Sequence, residues 1–111
     1  MGQSLERPRY GEGVLMIKPT PGRVVWYTPS DNDPTPKFKG EVLAATVARV
    51  ISDRLVNLMV VGADGLTYGR HNVVLAQDGD ERPKAGGFCE WMPYQKGQAA
   101  KTEQLERQAT P

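Results

Sequence analysis

The stretch Leu55-Val56-Asn57-Leu58-Met59-Val60-Val61, followed by Asp64-Gly65 and then Leu66-Thr67-Tyr68, leaves the middle of the chain little freedom. Val56, Leu58 and Val60 alternate with a period of two, so they share one face of a strand and can be buried together. Asp-Gly between two such runs suits a type I′ turn, in which both central residues take positive φ. A β-hairpin is expected here. Because an isolated hairpin is barely stable in water, it must find further strands elsewhere in the chain.

Those strands are legible on either side. Val24, Val25, Trp26 and Tyr27 all favour β structure and Pro29 stops the run, so residues 23–28 read as a strand. Residues 41–53 carry two patterns. Leu43, Val47, Val50 and Ile51 would line one helix face and three alanines favour helix, yet Val42, Thr46, Val47, Val50 and Ile51 are β-branched. We read this segment as a strand, because the hairpin needs a partner. Val73-Val74-Leu75 forms a further short strand after a break at residues 69–72, and Phe88-Cys89-Glu90-Trp91-Met92 alternates as the last, ended by Pro93. Residues 14–17 add at most a short edge strand, closed by Lys18-Pro19-Thr20-Pro21-Gly22. Residues 30–40, with Asp31, Asp33, Pro34 and Pro36 around a single apolar Phe38, read as a long exposed loop.

A chain of 111 residues supports one hydrophobic core, and 12 glycines with 9 prolines favour many turns over long elements. The expected organisation is a polar arm over residues 1–13, one barrel-like domain over 14–94, and a polar tail over 95–111, disordered unless a partner orders it, in which only Leu105 is a sizeable apolar residue. In that tail Glu103 and Arg107 stand four apart and could pair on a transient helix. The fold class is therefore all-β: a small barrel or compact sandwich of five to six short strands with extended polar arms at both ends. This order of strands, long loop and tight hairpin resembles the SH3-like and Tudor-like small barrels, a likeness of topology that carries no function by itself.

Composition narrows the chemistry. A formal charge of +1, from 14 basic and 13 acidic residues, supplies no net field for holding a polyanion, so nucleic acid is not expected as a partner. No stretch has the apolar length of a membrane span, and the polar first ten residues do not look like a signal peptide. A soluble protein without a membrane partner is expected. Cys89 is the single cysteine, which excludes an intrachain disulfide and any metal site needing two thiolates from this chain. His71 is the single histidine. A Cys89–His71 pair would be the obvious catalytic candidate, but a cysteine between Phe88 and Trp91 in a strand is ordinarily a core filler, so no enzyme activity is expected. The run Asp78-Gly79-Asp80-Glu81 lacks the rest of a calcium loop, and Gly11-Glu12-Gly13 lacks the strand and helix of a phosphate-binding turn. Neither metal nor cofactor is expected.

The aromatic residues are more informative, since small barrels can gather them from several strands into a cage. Arg23, Trp26, Arg49, Tyr68, Arg70 and Trp91 form a candidate pocket for a phosphate-bearing ligand, the arginines supplying charge-assisted bonds. The plainer reading places Trp26 and Trp91 in the core, with Tyr27 and Tyr94 partly exposed. Leu5, Tyr10, Tyr27, Phe38, Tyr94 and Leu105 are candidate contacts for a protein partner.

Gly87-Phe88-Cys89-Glu90-Trp91-Met92-Pro93-Tyr94-Gln95-Lys96-Gly97-Gln98-Ala99-Ala100-Lys101, preceded by Arg54-Leu55-Val56-Asn57-Leu58 and Val73-Val74-Leu75, is similar to a group of short bacteriophage and prophage proteins over residues 22–103. In size and in its arms-plus-barrel layout the chain resembles the decoration, or cement, proteins that staple phage capsids. That resemblance implies a virion protein present in many copies, or as a homo-oligomer, on a symmetric shell of capsid or other virion subunits. Two alternatives follow from the same origin: an anti-defence protein in the host cytoplasm that sequesters a nucleotide signal in the aromatic and arginine pocket, and a head–tail accessory subunit.

Overall fold

The structure, a computed structural model, describes residues 16–38 and 41–109. Five strands close into a barrel in the order β1-β2-β3-β4-β5. They are β1 (Val24–Thr28), β2 (Leu43–Ser52), β3 (Leu55–Val61), β4 (Thr67–Ala76) and β5 (Phe88–Glu90), followed by a helix, α1 (Pro93–Ala109). Successive strands from β1 to β4 pair antiparallel, and β5 closes the barrel by running antiparallel to β1 and parallel to β4. The chain is thus the small all-β barrel expected from its pattern.

Alternation fills the interior. Val25 and Tyr27 from β1, Leu43, Ala45 and Val47 from β2, Val56, Leu58 and Val60 from β3, and Val73 and Leu75 from β4 point inward with Cys89 and Trp91. Within residues 41–53 the segment Leu43–Ser52 is indeed a strand, whose inward side is the Leu43, Ala45, Val47 series rather than a helical stripe.

Four local readings are corrected. The turn after β3 is not type I′: the Gly65 N–H donates to the Gly62 carbonyl (2.8 Å), and only Gly65, at φ 84°, is left-handed, while Asp64 is not. Asp64 instead accepts the Leu66 N–H (3.0 Å) and the Tyr68 hydroxyl (2.7 Å), so its side chain bridges the turn to β4. Residues 69–72 do not break the sheet but form a bulge within β4, where the register skips between Val56 and Leu58, and Asn72 takes φ 54°. The Asn72 N–H donates to the Asn57 side chain (2.8 Å), which keeps the bulged backbone bonded.

The other two concern the ends of the fold. Met16 and Ile17 are buried without joining a strand, and the remainder of the expected edge strand lies outside the described residues. The C-terminal run is helical over Pro93–Ala109 rather than unstructured. Pro93 sits at the first helical position, where its missing N–H costs nothing. The Gln95 side chain accepts the Met92 N–H (2.9 Å) and donates to the Val24 carbonyl (2.7 Å), capping the helix and tying it to β1. Glu103 and Arg107 form the expected pair at 2.8 Å.

Two glycines separate conformational need from lack of space. A Cβ on Gly65 would meet nothing within 4 Å, whereas one on Gly86, at φ 81°, would stand 2.2 Å from the Pro29 carbonyl oxygen. Gly65→Val should therefore cost about 1–2 kcal/mol, the strain of a left-handed L-residue. Gly86→Ala should cost clearly more despite the smaller side chain. Equal losses in urea unfolding would show that the Pro29 backbone gives way.

Candidate functional site

The six residues of the expected phosphate pocket do not form one site, although Arg23 and Trp91 are brought together. Trp91 is buried, its indole N–H donating to the side-chain oxygen of Gln77 (3.2 Å). Trp26 lies on the outside of the barrel, 37% exposed, and Tyr27 takes the interior place, reversing the expected arrangement of that pair. The reason is the phase of β1: Val25 and Tyr27 pair with Ala45 and Leu43, which face the core. Arg49 is exposed on β2, and Tyr68 is bound to Asp64.

Arg70 is fully engaged. Its guanidinium bonds both oxygens of Asp33 (3.0 and 2.8 Å), the Gly69 carbonyl (2.7 Å) and the Thr35 hydroxyl. Asp33 also accepts the Tyr27 hydroxyl (2.5 Å) and the Thr35 N–H (2.7 Å). This network holds the loop after β1 against β4, so a segment that reads as exposed contains a buried threonine and an Asp33 side chain only 5% exposed. The Arg70 guanidinium holds the Asp33 carboxyl well below the usual carboxylate range, assisted by the Thr35 and Tyr27 bonds. Burial, with the bond to Asp33, pushes the Tyr27 hydroxyl up to about 12. Arg70 keeps 22% of its side chain exposed, but its guanidinium is committed mainly to these internal bonds.

A second network was not foreseen from the sequence. Gln77, completely buried, accepts the Ile17 N–H (3.0 Å) and donates to the carbonyls of Ile17 (2.9 Å) and Asp53 (2.9 Å) while holding Trp91. It joins the segment before β1, the β2–β3 turn and the approach to α1.

Cys89 lies in the core, where burial pushes its thiol up to about 12, and His71 is exposed near the β4 bulge. At pH 8 the native thiol should react with Ellman's reagent only as fast as the barrel opens, because the thiolate is disfavoured until the chain unfolds. Rapid labelling of folded protein would place Cys89 outside the core. Among the described residues, no group of three or more histidine, cysteine or acidic side chains is placed to hold a metal ion, and no helix is long and apolar enough to cross a membrane.

What the fold does assemble is a groove of about 410 Å³ beside α1. Tyr94, Gln95, Gln98, Ala99 and Thr102 form one wall, a single helix face, and Ile17, Lys18, Thr20 and Arg23 form the other. Arg23 is positioned 5.8 Å above the ring of Trp91. Arg23 and Tyr94, which belong to different candidate sets in the sequence, thus meet in one place.

No family model, curated protein or solved structure matches this chain.

The remaining candidates are apolar side chains on the surface. Phe38, Tyr94 and Leu105 are 65%, 72% and 59% exposed, as partner contacts would be, whereas Tyr27 is interior and Leu5 and Tyr10 lie outside the described residues. The register adds a patch that the sequence did not suggest: Val24 pairs with Thr46, Thr46 with Met59, and Trp26 with Ala44, which sets Val24, Trp26 and Met59 around small residues on the outer face.

Proposed function

We propose that this chain is a non-enzymatic virion accessory protein, a capsid decoration subunit that binds neighbouring capsid chains in many copies. The observation that carries the reading is where the unengaged side chains lie. The partly buried Arg70 and the buried Trp91 are engaged in internal bonds, while Trp26, Met59, Phe38, Tyr94 and Leu105 present apolar surface outward with the groove beside α1. Such a distribution suits a rigid barrel gripping other proteins rather than enclosing a small ligand. The setting rests on the resemblance read in the sequence of residues 22–103, and repeated weak contacts on a symmetric shell would add up through avidity.

Quantitative mass spectrometry of purified particles should find the chain at a copy number matching a set of symmetry-related capsid sites. Shells made without it should lose resistance to heat and regain it when purified protein is added. Its absence from particles overturns the proposal.

A further inference from the structure

We propose that the groove beside α1 binds an extended acidic segment of a partner protein. This rests on the protein-binding reading above and names the chemistry of the contact. The helix face from Tyr94 to Thr102 spans about 12 Å, the length of roughly four residues of extended chain. Lys18 and Arg23 line the groove, no described carboxylate does, and neither cation forms an ion pair with a described residue. The first turn of α1 carries no acidic residue of its own, so no side chain within that turn offsets the positive end of the helix dipole.

The site is also prearranged. Trp91 is buried and bonded to Gln77, and the exposed Arg23 guanidinium lies 5.8 Å above its ring, a contact that favours the position the cation takes in the groove. The Gln98 and Thr102 side chains make no hydrogen bond with described residues and offer donors and acceptors to a peptide backbone. Ile17 and Ala99 supply apolar contact between them. A simple anion would use the two cations and leave the rest of the groove idle, which is why a peptide is the better fit.

The test is a nuclear magnetic resonance titration of the whole ¹⁵N-labelled chain with a blocked hexapeptide of alternating glutamate and leucine, its glutamine counterpart, and inorganic phosphate. The acidic peptide should shift the amides of Lys18, Arg23, Gln98 and Thr102, weakening with salt, and the glutamine peptide should not. Lys18→Gln combined with Arg23→Gln should reduce affinity about tenfold. Gln98→Glu, on the exposed helix surface, should reduce it severalfold with the fold intact. Equal binding of the neutral peptide, shifts away from the groove, phosphate alone reproducing the pattern, or no binding at all would each overturn the inference. The two readings fail separately: full decoration of shells by the Gln98→Glu variant removes the groove but not the virion role, whereas peptide binding by a chain absent from particles removes only the virion role.

Discussion

Gln77→Leu should cost about 4 kcal/mol of stability, although leucine is of similar volume and the site is completely buried. The substitution removes every partner at once from the Ile17 N–H and carbonyl, the Asp53 carbonyl and the Trp91 indole N–H. An orphaned buried polar group costs about 1–3 kcal/mol, and water can reach part of the Asp53 side of the site. A domain of this size has a total stability of about 5–15 kcal/mol, so the loss is a large fraction of it. Urea unfolding monitored by tryptophan fluorescence should show the midpoint falling with the slope unchanged. A loss below about 1 kcal/mol would mean that the segment before β1 gains nothing from this anchor.

Arg70→Met should have a comparable effect, about 3–4 kcal/mol, by leaving the Asp33 carboxylate enclosed without its countercharge. Adding Asp33→Asn should recover much of that loss, which separates the electrostatic cause from lost packing. Acidity gives an independent check. Because the folded state holds the Asp33 carboxyl below its ordinary value, its contribution is complete above the unfolded value of about 4 and is lost as pH falls towards the folded one. Wild-type protein should therefore destabilise on acidification below about pH 5, and Arg70→Met should flatten that slope. Tyr27 acts at the other end: its raised pKa keeps the neutral hydroxyl favoured, so its contribution holds below the ordinary tyrosine value of about 10 and fades as pH climbs towards about 12. An unchanged acid slope in Arg70→Met would assign the low-pH loss to other carboxylates.

The strands were legible where hydrophobic alternation is local. Val56, Leu58 and Val60 announce β3, and the β-branched content of residues 41–53 outweighs its helical spacing once a neighbouring strand is required. The phase of β1 was not legible, because Val24, Val25, Trp26 and Tyr27 are all β-favouring in succession, and only pairing with Leu43 and Ala45 decides that Tyr27 turns inward. The β4 bulge reads as a break because Gly69 and Asn72 are turn residues, and the Asn57 side chain that supports it lies across the sheet. Both buried networks were hidden for the same reason. Asp33 and Arg70 are 37 residues apart, and Gln77 and Ile17 are 60 apart. The helix was missed because its outward face is polar and its anchoring comes from Gln95 bonding to Val24, a contact across the fold. For the groove, the cations of its extended wall and the Tyr94 face of α1 gave no joint signal, since nothing in the spacing says that these segments lie side by side.

The barrel is sealed by a strand of only three residues, Phe88–Glu90, that comes late in the chain and borders the first strand on one side and the fourth on the other. Trp26 meets Glu90 only after everything between them has been synthesised and brought into register. Such remote pairings slow folding, and a rate constant corresponding to milliseconds or longer is expected, against microseconds for a small helical bundle. Until the seam shuts, β1 and β4 have bare hydrogen-bonding edges, the form in which nascent β proteins adhere to one another. A truncation before Glu90 would prolong that exposure indefinitely, so the yield of soluble protein in the cell depends on how quickly these three residues find their place.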